Sequence, residues 1–324
     1  MRKSGILLHI ASLPNDYGIG SMGREAYDFV DYLKKSGQSV WQILPLSQTS
    51  YGDSPYQSFS IYAGNPYFIS LDVLAEEGLL KKSEYENIKW CEDPRYIDYA
   101  TMYEQFYKVM KHAYRRFSLQ RNGNVSGEYR AFLDDNKWLH DYALFMALKE
   151  EKYHHMPVYM WPDKDVRDRK PAALEKVTAE LRDEVDFRIF LQYIFFKQWT
   201  ALREYANEKG IQIIGDIPIY VSADSSDVWT HPKLFKLKPD RSPKLVAGVP
   251  PDYYSATGQL WGNPVYNWAA HKAENYAWWI WRMKSNMALF DVVRLDHFRG
   301  FAAYWEVGAD EETAINGKWR KGPG

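Results

Sequence analysis

A chain of 324 residues with 46% hydrophobic content can bury a sizeable core, as one large domain with an insertion or as two ordinary domains. Its 41 Lys and Arg against 42 Asp and Glu leave no electrostatic footprint for nucleic acid or an anionic membrane surface, so the expected substrate is neutral or small. The one cysteine, Cys91, excludes an internal disulfide framework and points to a reducing compartment, the cytoplasm.

The start, MRKSGILLHIAS, carries charges before an apolar run that is too short for a signal peptide and contains His9, so Gly5 to Ile10 reads as a first buried strand. No later stretch approaches the roughly 20 apolar residues needed to cross a bilayer. The glycine cluster YGIGSMG (Tyr17 to Gly23) has the wrong spacing for a dinucleotide site. In GREAYDFVDYLKKSG, Ala26, Phe29, Val30 and Leu33 fall at helical spacing, with Gly37 as the stop. A second apolar run, Ser39 to Leu46, completes a βαβ unit.

The next 150 or so residues are far too many for a single crossover. Patterns such as TMYEQFYKVMKHAYRRF and KWLHDYALFMALKEEK predict a mainly helical insertion over 51–185, between first barrel strands in 1–50 and a continuation in 186–324. That continuation opens with a helical stripe, Phe187, Phe190, Leu191, Ile194, Leu202 and Tyr205, ending at Gly210. Two further apolar runs follow, Gly210 to Val221 and Leu289 to Phe298. All four runs are apolar without alternation, which predicts parallel strands buried on both faces.

Helices alternating with such strands leave a doubly wound sheet or a (β/α)8 barrel, and the missing phosphate fingerprint favours the barrel. Only four strands are visible where a barrel needs eight, so the chain is expected to be the first portion of a longer protein, inactive alone, with the rest of the barrel after residue 324. In a barrel, polar residues at the C-terminal ends of strands form the active face. Here they are Asp216, Arg294, Asp296 and His297. A period of two puts Val292, Arg294 and Asp296 on one face, so Arg294 would favour the ionised form of Asp296 that a nucleophile requires. An isolated Arg-x-Asp is more often a strand-end cap with a surface arginine, and the apolar strand with its HFRGF exit shifts the balance toward function.

Two aromatic segments flank this face. YGDSPYQSFSIYAGNPYF (Tyr51 to Phe68) is read as a rigid loop displaying tyrosines and hydroxyls, and Ala247 to Trp268 as a long lid loop. With 13 Trp, 25 Tyr and 15 Phe in the chain, ring faces suited to sugars are available, although large cores use the same residues. His154 and His155 are adjacent and point apart, and without HExxH or paired CxxC they predict no metal site.

DSPYQSFSIYAGNPY, GDIPIYV, GVPPDYYSATGQLWGNPVY and DVVRLDHFRGF, in this order, closely resemble the 4-α-glucanotransferases called amylomaltases or disproportionating enzymes, glycoside hydrolase family 77. The resemblance runs from the first strand to INGKWRKGPG. It implies a TIM barrel of the α-amylase type that transfers α-1,4-glucan segments with retention and needs no cofactor. The implied partners are maltooligosaccharides, maltodextrin, glycogen or starch, and glucose. It further implies that Asp296 is the nucleophile, supported by Arg294, that Asp216 and His297 hydrogen-bond the sugar at the cleavage point, and that Ser54, Tyr56, Asp252 and Trp261 line donor and acceptor sites, Asp252 on a mobile loop. The family's general acid/base glutamate falls beyond Gly324. Glu306 is tempting as a substitute and is not assigned. The competing expectations are an α-amylase-like hydrolase and a noncatalytic glucan-binding protein.

Overall fold

Ala26, Val30 and Leu33 line the buried side of α1 (Arg24–Lys35), in a computed structural model that describes residues 2–49, 52–121 and 126–324. Gly37 ends the helix at φ 69°, a left-handed conformation that is inexpensive only without a Cβ, and the Gln38 N–H returns to the Leu33 carbonyl at 2.9 Å. The helix connects β1 (Gly5–Leu7) to β2 (Val40–Gln42), which pair in parallel with Ile6 opposite Trp41.

After β2 come α2 (Leu71–Glu76), α3 (Tyr99–Arg121), α4 (Gly127–Asp135), α5 (Leu139–Ala147), α6 (Lys164–Arg167) and α7 (Pro171–Glu180). The 27-residue α8 (Arg182–Glu208) then leads into β3 (Gln212–Ile217). Tyr51, where the insertion and its tyrosine loop were expected to begin, lies outside the described residues. Phe187, Phe190, Leu191, Ile194 and Leu202 of α8 are buried, with Tyr205 packed at the margin. They share one core with Trp41 and Ile213 of the strands and with Tyr67, Phe106 and Met110 of the segment after β2. A second core around Phe145 and Trp161 lies within the helical segment.

Beyond β3 the chain forms α9 (Ser226–Thr230), β4 (Leu245–Val249), β5 (Gln259–Pro264), α10 (Trp268–Ala273) and α11 (Ala277–Leu289). It then adds β6 (Val292–Leu295), β7 (Ala303–Gly308) and β8 (Lys318–Lys321). One sheet is parallel in the order β1-β2-β3-β6, and the other is antiparallel in the order β5-β4-β7-β8. In the parallel sheet spatial order follows chain order, the arrangement of consecutive barrel strands; a doubly wound sheet would reverse direction. No described helix is long and apolar enough to cross a membrane.

Three expectations need correction. The strands are shorter than the apolar runs that announced them, and they are not buried on both faces. One face packs against α1 and α8 through Trp41 and Ile213, but on the other Leu7 is 56% and Val292 44% exposed, because four strands do not close into a ring. Nor is 247–268 a loop throughout. It contains most of β4 and all of β5, paired antiparallel around a tip at 250–258, with β7 and β8 extending the same sheet on the far side of β4.

Gly215 couples the core to the active face. A Cβ there would lie 2.2 Å from the Phe290 ring, which is itself buried. Gly215→Ala should therefore overpack β3 and cost about 1–3 kcal/mol, measured as a lower midpoint in denaturant unfolding; an unchanged midpoint would show that Phe290 has room to turn away.

Candidate active site

The β3–β6 ladder sets Asp216 directly opposite Arg294. Arg294 spans two acids, Nη1 donating to Asp216 Oδ2 and Nη2 to Asp296 Oδ1, each at 2.6 Å. Asp296 follows the last residue of β6, and its N–H still bonds the Ile217 carbonyl at 2.9 Å, so the carboxylate is fixed at the strand exit. Burial alone would weaken the guanidinium's hold on its proton; Asp216 and Asp296 outweigh that and raise its pKa above the usual value.

The two ends of this bridge differ in environment. Asp216 is 1% exposed, whereas the side chains of Arg294 and Asp296 are 45% and 39% exposed. From the loop after β2, Tyr56 donates its hydroxyl to Asp216 Oδ2 at 2.7 Å. Burial first and this bond second push the Tyr56 hydroxyl up to about 12, so it stays a proton-bearing donor at neutral pH. Asp216 Oδ1 is buried with no hydrogen-bond partner among the described residues.

His297 adopts a left-handed backbone, φ 51°, and its ring meets the edge of Trp261 at 4.9 Å between centroids. Burial lowers its pKa, with Asp296 opposing, so near neutrality it is an uncharged imidazole that can donate through one nitrogen and accept through the other. The structure thus gathers Asp216, Arg294, Asp296, His297, Tyr56 and Trp261. Ser54 precedes Tyr56 in the same loop; its Oγ accepts the Tyr56 N–H at 3.3 Å and shapes that turn. Asp252 stands apart at the tip of the β4–β5 hairpin, where Oδ1 accepts the N–H groups of Tyr254 and Ser255 at 2.9 Å each. Tyr253 and Tyr254 beside it are 97% and 93% exposed.

Glu306 lies on β7, 4% exposed, with Lys236 donating at 2.7 Å and Arg320 on its other oxygen. Burial would raise its pKa, but these two cations hold it below the usual carboxylate range. It is a structural ion-pair acceptor, not a proton donor. Sequence reasoning missed Gln57 and Asn263, which join the Tyr56 loop to the Trp261 strand; Gly262-Asn263-Pro264 carries a turn signal but nothing in it names the distant partner.

The family described as 4-alpha-glucanotransferase matches residues 8–324. A 4-alpha-glucanotransferase of Clostridium butyricum is 52% identical over 98% of this chain and 64% of its own length, and one of Streptococcus pneumoniae is 48% identical over 100% and 63%. The chain thus spans less than two thirds of these relatives. An amylomaltase from Streptococcus agalactiae, solved in complex with acarbose, superimposes with a TM-score of 0.97 at 48% identity, over 100% of this chain and 65% of that one. The amylomaltase of Corynebacterium glutamicum shares the fold at a TM-score of 0.73 and 18% identity, over 99% and 44%.

Behind the site, Asp227 near the start of α9 is buried and accepts the Ile61 N–H at 2.9 Å, tying down the far end of the Tyr56 loop. Burial raises its pKa from 3.8 to about 7, with the Ile61 bond and Arg282 acting in the opposite direction. The folded state therefore holds this proton more tightly than the unfolded chain. Its stabilising effect is complete below pH 3.8 and is lost as pH rises through about 7. Asp227→Asn retains an acceptor and cannot ionise, so its melting temperature should approach wild type near pH 4 and exceed it by a margin that grows as pH rises to about 7. Parallel pH profiles for the two proteins would refute the assignment.

Proposed function

Because the chain belongs to the 4-alpha-glucanotransferases of glycoside hydrolase family 77, we propose that Asp296 is the nucleophile in a retaining transfer of α-1,4-glucan segments. The donors are maltooligosaccharides, maltodextrin, glycogen or starch, and the acceptors are other glucans or glucose. The observation that carries this reading is the Arg294 fork, which fixes one oxygen of Asp296 at the exit of a barrel strand and leaves Oδ2 without a hydrogen bond among the described residues. The acarbose complex of the Streptococcus agalactiae relative supports an oligosaccharide ligand.

In the first half-reaction Oδ2 attacks the anomeric carbon, the bond from that carbon to the leaving oxygen breaks, and an acid protonates the departing chain. A covalent β-glucosyl ester remains. In the second, the 4-hydroxyl of an acceptor gives its proton to the same acid, now a base, and displaces Asp296. Asp216 hydrogen-bonds a hydroxyl of the bound sugar, and His297 positions the same ring. Retaining enzymes separate their two carboxyl groups by about 5 Å. Glu306, committed to Lys236 and Arg320, is not the second of them. The resemblance assigns that acid to a glutamate in the part of the family beyond the region matched here. Cys91 as the sole cysteine supports a cytoplasmic setting.

In the whole protein, maltotriose should give glucose together with longer oligomers, and Asp296→Asn should reduce that disproportionation by a factor on the order of 10⁴ or more, in keeping with loss of a covalent nucleophile. Substantial transfer by the variant would remove Asp296 from its role. Maltose and glucose as the only wild-type products would favour a hydrolase.

A further inference from the structure

Tyr56 and Gln57 are consecutive, yet their side chains grip different parts of the molecule. Tyr56 bonds Asp216 of the parallel sheet, and Gln57 reaches β5 of the antiparallel one. Gln57 Nε2 donates to the Trp261 carbonyl at 3.2 Å and to Asn263 Oδ1 at 3.0 Å. Asn263 Nδ2 donates back to Gln57 Oε1 at 3.4 Å and to the Val221 carbonyl, just past β3, at 2.8 Å. Each amide has two N–H donors, so this geometry uses all four. Asn263 is 5% exposed, which makes an unmet donor or acceptor there costly.

The backbone explains why Gln57 can attach at this point. Along β4–β5, Val246 pairs with Pro264 and Gly248 with Leu260, so two steps on β4 answer four on β5. Trp261, Gly262 and Asn263 form the resulting bulge, with Gly262 at φ 78°. A bulge takes backbone groups out of the ladder and re-aims the neighbouring side chain. Here the Trp261 carbonyl is released to Gln57, and the Trp261 ring meets His297, the neighbour of Asp296.

We infer that Gln57 and Asn263 are positioning residues, an amide clasp that locks the Tyr56 loop to the bulge of β5 and holds Trp261 against His297 at the reaction centre. The inference rests on the reading of Asp296 as nucleophile. The clasp makes one continuous wall from two segments some 200 residues apart. That wall fixes the ring on one side of the glucosyl ester and keeps water from competing with the acceptor sugar.

The whole protein labelled with 5-fluorotryptophan tests this, the Trp261 fluorine line being assigned by its loss in Trp261→Phe. Gln57→Ala, and Gln57→Glu, which keeps the shape without the donors, should each shift or broaden the Trp261 line. Each should also lower kcat for maltotriose transfer by about 10- to 100-fold, the scale of an ångström-level misplacement, raise the hydrolysed fraction of product, and change KM little. The exchanged pair Gln57→Asn with Asn263→Gln keeps the summed side-chain length and should recover part of both signals. A Trp261 line unmoved in Gln57→Ala and Gln57→Glu would overturn the clasp. A line that moves while transfer and hydrolysis stay at wild-type values would overturn its role in the reaction. A wild-type protein with no glucan transfer would sink the functional reading instead, and the fluorine spectra would still decide whether the clasp holds Trp261.

Discussion

Everything at the active face depends on one guanidinium holding two carboxylates from neighbouring strands. A planar guanidinium presents its donors at fixed angles, so binding Asp216 through one nitrogen and Asp296 through the other sets the spacing and orientation of both acids. The two bonds are not energetically equal. Asp216 is buried and would be severely destabilised without its cation, whereas the Asp296 side is nearly half-exposed and screened by water. The bridge is therefore more strongly held at Asp216 and more screened at Asp296. That asymmetry suits the nucleophile proposed at Asp296, which must be oriented by the cation before attack and loses its negative charge to the anomeric carbon as the ester forms.

Strand ladders three to six residues long cannot fix side chains projecting beyond their ends, so the surrounding loops complete the task. Tyr56 approaches Asp216 from a chain position 160 residues away, and Asp227 pins the far end of the same loop through Ile61. Gln192 of α8 anchors it from below, accepting the Gly64 N–H and donating to the Gly64 carbonyl at 2.8 and 2.9 Å. The antiparallel sheet has a parallel role. It packs few large residues of its own, with a small core of Val246, Val307 and Ala314, and what it contributes to the site is mainly Trp261.

The parts legible in the sequence were those governed by local periodicity. The helical stripes of α1 and α8 and the stops at Gly37 and Gly210 follow from spacing alone, and so does the shared face of Arg294 and Asp296. The β4–β5 hairpin was not legible, because LVAGV and QLWGNP are short, interrupted by glycine, and in β5 closed by Pro264, all of which weaken a strand pattern. Exposed tyrosines at its tip reinforced the reading of a loop. Contacts such as Tyr56 to Asp216 and Gln57 to Asn263 are tertiary, and no spacing rule reaches across them; Asp216 was read from its place at a strand end and Tyr56 from a family resemblance, but neither contact was foreseen.

The open face of the parallel sheet bears directly on the chemistry. On that face Ile214 and Val292 pair with each other one layer below Asp216 and Arg294, so the charged residues stand on an apolar floor. With Val292 and Leu7 exposed, that floor is wet. The attraction between unit charges scales inversely with the effective dielectric, and falls about fourfold between a protein surface environment and bulk water. Closing the ring of strands would dry the floor and strengthen both arms of the Arg294 bridge. The same closure would thus serve the barrel's stability and the orientation of Asp296 together, since both gain when water leaves the space beside Ile214 and Val292.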